Sequence, residues 1–369
     1  MPGIGADLAA SPQAMQTTIT AYVAAFGLAQ MIYGPWANQA GRKVPLYAGI
    51  ATFVLGALLC MTAETANGLI AGRFVQGLGG AALGVVPRAI VRDMMTGPEA
   101  TRMMAAIMLV FSVSPMLAPL AGSALLLITG WRGIFGALLV ASLLSLAMLV
   151  FAQPETLAPE NRRPFNLWTL LRGCGELLAD RSFLLWTFIG AFGFGSFFIF
   201  LAAASYVYQQ GFGLTSTQFS VAFAANAMAF IGASQLASRL SQRFGVLSML
   251  KWSSVGFAAA GSVTLVLALS GLANLWVCSV GIGVGNAFLG LIIPSTMVMA
   301  LDEQGEKAGT ASSLGGTIQM LTGGLMVVGL GPWLGASAVP MIAGIAVATL
   351  ITLALTLMMV GSQAARTAS

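Results

Sequence analysis

One arginine, Arg73, stands inside an apolar stretch that runs from 68 and ends on Arg88. A guanidinium at the centre of a bilayer costs about 2.5–3.5 kcal/mol on insertion scales. It must therefore snorkel to water or face a polar interior where its charge acts on something. At about five residues, or about 8 Å, from one end of the stretch, both are open. Gln76, Gly77, Gly79 and Gly80 follow it, and Gly80 and Gly84 have the GxxxG spacing that lets helices approach closely. Further amides sit in other apolar runs: Gln30, Asn226, Gln235, Asn286 and Gln319. An amide in hydrocarbon needs a partner, which is another helix or a ligand. Tyr22, Phe26 and Tyr33 recur with Gln30 at near-helical spacing. Aromatic and amide side chains of this kind suit either packing or a mostly apolar pocket with a few polar contacts. Tyr22, Phe26, Gln30, Gln76, Asn226, Asn286 and Gln319 are the candidates to line it.

Other chemistries are poorly supplied. The chain has no histidine, which removes His-based triads, metal ligands and pH switches. Its three cysteines, Cys60, Cys174 and Cys278, are far apart and form no CxxC pair. All eleven acids lie outside the apolar runs, so general acid–base catalysis has few candidates and an enzyme is not expected. GLGGAA fits a dinucleotide fingerprint, but no strand precedes it. No cofactor or metal is expected. The net charge of +5 comes from basic residues scattered between apolar runs rather than clustered, so no nucleic-acid partner is implied.

The elements that must position these residues follow from hydropathy. Of 369 residues, 58% are apolar and only 7% charged, with mean hydropathy +0.90, so the lipid bilayer is the expected surroundings. Spanning about 30 Å of hydrocarbon takes about 20 helical residues. Eleven runs qualify, at 15–36, 44–61, 68–88, 103–127, 133–152, 183–206, 219–238, 248–270, 274–298, 310–331 and 338–360. The reading is an all-α membrane protein of five plus six spans: a first bundle over 1–152, a linker over 153–182 and a second bundle over 183–369. Fourteen of the sixteen basic residues fall on one side of this topology, Arg132 falls on the other, and Arg73 is within a span. The fourteen mark the cytoplasmic side. The C-terminus is then cytoplasmic and the N-terminus, as the chain stands, outside. Trp36, Trp131, Trp186, Trp252, Trp276 and Trp333 fall near span ends, as an interfacial belt would. In the linker, Leu167, Trp168, Leu171, Leu177 and Leu178 are expected to share one face of a helix lying on the membrane.

Several segments resemble the major facilitator superfamily, in particular its Bcr/CflA drug-resistance branch. GPWANQAGRK (Gly34 to Lys43) resembles the loop signature between two spans, and LIAGRFVQGLGGAA (Leu69 to Ala82) the proton-linked signature. RAIVRD (Arg88 to Asp93), SPMLAPLAGS (Ser114 to Ser123), WRGIF (Trp131 to Phe135) and PETL (Pro154 to Leu157) follow in order. FGLTSTQFS (Phe212 to Ser220) and AGTASSL (Ala308 to Leu314) extend the likeness into the second half. The resemblance implies a major-facilitator-type two-bundle fold and secondary transport in the bacterial inner membrane, with proton-coupled antiport of small, amphipathic, drug-like compounds out of the cytoplasm. Arg73 would tune proton affinity. Gly34, Asn38, Gly41, Arg42, Arg88, Arg92 and Asp93 would gate, and Pro115 and Pro119 would bend the fourth span where the family sets exchange direction.

The chain departs from the pattern in three places. MPGIGADL resembles the outer end of the family's first helix, so that helix is expected to be absent. Asn38 stands where the family has aspartate, with Gln39 where it has arginine, and a neutral amide supplies no ion pair. No span holds an acid to partner Arg73. An inactive fragment or an uncoupled uniporter are the alternatives these departures leave.

Overall fold

The computed structural model describes residues 2–95, 97–162, 166–302, 304 and 307–368. The side chains of Arg92, Pro115 and Pro119, and most others between 100 and 120, lie outside the described residues.

All regular structure among the described residues is helical. Twelve α-helices follow in order: α1 Pro2–Asp7, α2 Pro12–Ala40, α3 Lys43–Met61, α4 Ala66–Met94, α5 Gly97–Phe151, α6 Leu167–Ala179, α7 Arg181–Tyr206, α8 Ser216–Phe244, α9 Val246–Leu267, α10 Leu275–Asp302, α11 Ala308–Leu330 and α12 Ala338–Ala368. A helix satisfies its backbone within the segment, which hydrocarbon requires. Local signals set the ends. Ser11, Thr65 and Asp180 cap α2, α4 and α7 with side-chain oxygens, and Thr215 with Gln218 forms a reciprocal capping box on α8. α5 is two arms broken at Gly130, whose φ of 67° is left-handed backbone that favours glycine.

Among the described residues, nine helical segments are long and apolar enough to cross a membrane: 43–61, 66–91, 128–151, 181–211, 216–244, 246–272, 275–302, 309–333 and 338–361. They correspond to nine of the eleven expected runs. α2 is long enough, but Gln13, Gln16, Thr17, Thr18, Thr20 and Gln30 dilute its apolarity. The run at 103–127 falls in the first arm of α5, where most side chains are not described. The count of eleven is thus not established.

The chain divides into two compact units, 1–114 with 121–172, and 115–120 with 173–369. In the first, α4 lies between α2 and α3. Glycines permit that approach: a Cβ on Gly56 would overlap the backbone of Gln76, and one on Gly79 the backbone of Phe53 and Gly49. Ala37, Leu46, Ile50, Val86 and Leu149 form one buried cluster in it, and Ala29, Tyr33, Ala81 and Ala82 another. In the second unit, α7 packs on α10, α11 and α12, while α10 also meets α8 and α9. Its core includes a parallel stack of Phe200 on Phe223 at 5.3 Å, beside Tyr208 and Phe219.

The tryptophan belt needs correction. Trp252, Trp276 and Trp333 are exposed, as interfacial residues should be, but Trp131 and Trp186 are buried in their units. Trp131 is held by a hydrogen bond from its Nε1 to Asp7.

Candidate functional site

In the first unit, Arg73 on α4 lies over the ring of Tyr22 on α2, its guanidinium 4.3 Å from the ring centroid. It also donates to the side-chain oxygen of Gln76, one turn along its own helix. Cation–π stacking and a neutral acceptor are both favourable where water is scarce, but neither cancels the charge. Tyr22 stacks on Phe26 at 6.1 Å. Both rings lie over the α4 glycines: a Cβ on Gly80 would stand 2.8 Å from the Tyr22 hydroxyl, and one on Gly84 2.8 Å from the Phe26 ring tip. The GxxxG pair therefore makes room for aromatic rings. Gln76 is fully buried and its Nε2 lacks a partner, as does that of Gln30 further along α2. The structure thus brings Arg73, Gln76, Tyr22 and Phe26 together, with Gln30 on the same helix.

A second cluster forms at the α2–α3 turn. Arg42 grips Asp93 with two bonds, Nε to Oδ2 at 2.6 Å and Nη2 to Oδ1 at 3.0 Å. Its Nη1 donates to Asn38 Oδ1 at 2.6 Å. Asn38 therefore holds the arginine by a hydrogen bond without charge, and Asp93 supplies the charge. Glu155 was missed by the sequence reading and completes the turn. Its carboxylate accepts backbone N–H bonds from Arg42, Lys43, Thr156 and Leu157 at 2.8–3.1 Å, so it sits on the N-terminus of α3. Thr156 donates its hydroxyl to Asp93 at 3.1 Å. Gly41 has φ +90°, and a Cβ there would stand 2.5 Å from Glu155 Oε2, so this position both needs left-handed backbone and has no room. A Cβ on Gly34 would make only ordinary contact with Val85, and Arg88 is half-buried on α4.

Burial pushes the Glu155 carboxyl up, but the four N–H bonds outweigh it and hold it below its ordinary 4.5. A depressed carboxylate stabilises the fold above its unfolded value, and that contribution is lost as pH falls through the folded one. Melting curves in detergent from pH 7 downward should show wild type more stable than Glu155→Gln at pH 7. The gap should close below about pH 4.5.

At the other end of α3, Asp7 Oδ2 accepts from Trp131 Nε1 and Arg132 Nη1, both at 2.8 Å, and Arg132 also donates to the Ala63 carbonyl at 3.2 Å. The hydrogen bond from Trp131, then that from Arg132, holds the Asp7 carboxyl below its ordinary range. This tie of α1 to α5 was also missed. Residues 124 or more positions apart leave no local pattern.

In the second unit the three predicted amides have different neighbours. Asn226 on α8 donates to the Ala222 carbonyl at 3.0 Å, and its Oδ1 faces Gly283 of α10 without a partner. Gln319 on α11 lies beside Gly190, close to Thr296. Asn286 borders a cavity of ≈ 20 Å³ with Ser196, Thr264 and Thr349. That volume suits about one water. Each of the three hydroxyls donates to its own helix at 2.7 Å. Among the described residues, no group of histidine, cysteine and acid could hold a metal ion.

The comparisons with known proteins agree on one family. Residues 1–327 match the Major Facilitator Superfamily. A Bacillus subtilis MFS-type transporter, YdgK, of uncharacterized activity, is 32% identical over 346 residues, covering 92% of this chain and 85% of that one. A bicyclomycin resistance protein homolog of Haemophilus influenzae is 31% identical over 323 residues, covering 88% and 81%. Among solved structures, the crystal structure of the human organic anion transporter MFSD10 superposes with a TM-score of 0.64 over 93% of this chain and 83% of that one. At 18% identity that likeness concerns the fold.

Proposed function

This chain belongs to the major facilitator superfamily, a family of multi-pass membrane transporters rather than enzymes, and from that premise we propose that it exports small drug-like compounds by proton-coupled antiport. The observation that carries the reading is the half-buried guanidinium of Arg73, held on Tyr22 and Gln76 with its charge uncancelled by either. A charge so placed raises the affinity of its surroundings for an anionic group and lowers that for a proton. Alternation between substrate and proton can use that difference. The likeness to a bicyclomycin resistance homolog supports a drug as cargo. Tyr22, Phe26, Gln30 and Gln76 from the first unit, and Asn226, Asn286 and Gln319 from the second, are the proposed substrate contacts. The Arg42–Asp93–Asn38 turn with Gly34, Gly41, Arg88 and Arg92 is the proposed gate, together with Pro115 and Pro119. The membrane is the bacterial inner membrane, with the basic loops and the C-terminus in the cytoplasm.

Drug-dependent proton flux in proteoliposomes tests this. Arg73→Ala should abolish coupled flux. Arg73→Lys keeps the charge but loses the flat stacking surface, so it should retain only part of it. Because the groups that hold Arg73 are both neutral, an uncoupled uniporter is the second reading. Drug counterflow that is indifferent to a pH gradient, with no proton movement, would replace antiport by it.

A further inference from the structure

Arg42 and Arg73 hold their neighbours alike, up to one difference. Arg42 gives Nη1 to an amide oxygen, that of Asn38, and turns its Nε–Nη2 edge to the Asp93 carboxylate. Arg73 likewise gives Nη1 to an amide oxygen, that of Gln76. Among the described residues, however, its Nε and Nη2 have no protein acceptor and no carboxylate pairs with it. The side chain is only half-buried, so that edge is not sealed. All eleven acids of the chain lie outside the apolar runs. A charge withdrawn from water is ordinarily paired. The Nε–Nη2 edge of a guanidinium matches the two oxygens of a carboxylate with parallel bonds, as it does at Arg42.

The surroundings of that edge describe the rest of the ligand. Tyr22 covers the guanidinium face, and Phe26 continues the aromatic surface with its ring centroid 6.1 Å from that of Tyr22. Both rings are half-buried. Gln76 Nε2, buried and without an acceptor, is a further uncommitted donor beside Arg73. Nitrogen donors and a positive charge next to aromatic rings suit an acceptor-only anion on an apolar body. We propose that the cargo is an amphipathic organic acid. Its carboxylate is held by the Nε–Nη2 edge of Arg73, and its apolar body lies against Tyr22 and Phe26. This names the substrate class of the export site proposed above and rests on that reading of Arg73. A cationic compound would meet the guanidinium as a like charge and is disfavoured there.

Three compounds with one aromatic body test this: 2-naphthoate, 2-naphthamide and 2-naphthylmethylammonium, titrated by calorimetry into the full chain in lipid nanodiscs. Naphthoate should bind about tenfold or more tightly than either of the others, the range for hydrogen bonds to a charged group. Arg73→Ala should erase that preference. Arg73→Lys should keep only a few-fold of it, because the charge stays while the two parallel bonds are lost. Equal or tighter binding of the amide or the ammonium would overturn the proposal. A naphthoate preference that survives Arg73→Ala would place the carboxylate elsewhere, leave the guanidinium to a lipid phosphate, and overturn it too. Absence of binding by all three, in protein that still unfolds cooperatively, would overturn it equally. The result is separable from proton coupling. Naphthoate counterflow in proteoliposomes without proton movement would keep the organic acid and remove antiport. Proton flux driven by a neutral or cationic drug, with no naphthoate preference, would do the reverse.

Discussion

Arg42→Ala is expected to destabilise the protein by about 3–5 kcal/mol, the range for removing one partner of a buried ion pair. The side chains of Arg42 and Asp93 are only 7% and 16% exposed, so solvent screens them little. Truncating the arginine leaves Asp93, among the described residues, with the Thr156 hydroxyl, removes the donor to Asn38, and leaves a charge in a site built around its counterion. Asp93→Asn should cost less, because an amide oxygen still accepts from the guanidinium. The double variant should be less destabilised than the sum of the two, since neither charge is then stranded. Arg42→Lys should fall near Arg42→Ala, because one ammonium cannot reproduce two parallel bonds to Asp93 and a third to Asn38. Thermal unfolding of the purified protein in detergent gives the ranking. Strict additivity, or an Arg42→Ala effect under about 1 kcal/mol, would mean that the pair is solvated like a surface bridge.

What could be read from the sequence depended on whether a signal was local. Arg73 was visible because one charge in an apolar run is costly wherever the run sits, and Gln76 and Gly80 stand within two turns of it. Its resting place on Tyr22 was not visible, because the two residues are brought together only by the approach of α2 to α4. The Gly41–Arg42 turn could be marked by its motif, and Asp93 by another. Glu155 belongs to the same turn from 113 residues away, in a segment noticed only as a landmark. The positions of tryptophans near span ends were legible, but an end-of-span position is shared by lipid interface and helix contact. That is why Trp186 was misplaced while Trp276 was not. For α6 the amphipathic character was legible. Which apolar positions turn inward was not, because sequence distinguishes polar from apolar positions and cannot tell Leu177, which is buried, from Trp168, Leu171 and Leu178, which are exposed and do not share its face. The span count is not established where hydropathy is diluted, in α2, whose glutamines and threonines are tolerated because part of that helix faces α4 rather than lipid.

The close approach of α2 to α4 connects stability to transport, and Gly77→Ala should disturb both. A Cβ at Gly77 would overlap the Tyr22 carbonyl and press on Ala25 at 3.0 Å. The obstacle is backbone, so no rotamer change relieves it, and the two helices must separate. Overpacking of this kind costs about 1–3 kcal/mol, occasionally more. Gly232→Ala on α8 is the control, because a Cβ there meets nothing within 4 Å. Added in open space within a helix, the same methyl should stabilise by about 0.5–1 kcal/mol. Opposite signs for one chemical change would show that contact, and not helix propensity, sets the cost at Gly77. The functional consequence has its own reading. Displacing Tyr22 takes its ring from beneath Arg73, so drug-driven proton flux should fall in Gly77→Ala even at a temperature where the variant remains folded. Tyr22→Phe should be nearly silent in the same assay, because it preserves the ring face that the guanidinium covers. If Tyr22→Phe abolished flux while Gly77→Ala spared it, the hydroxyl and not the stacking surface would be what Arg73 requires.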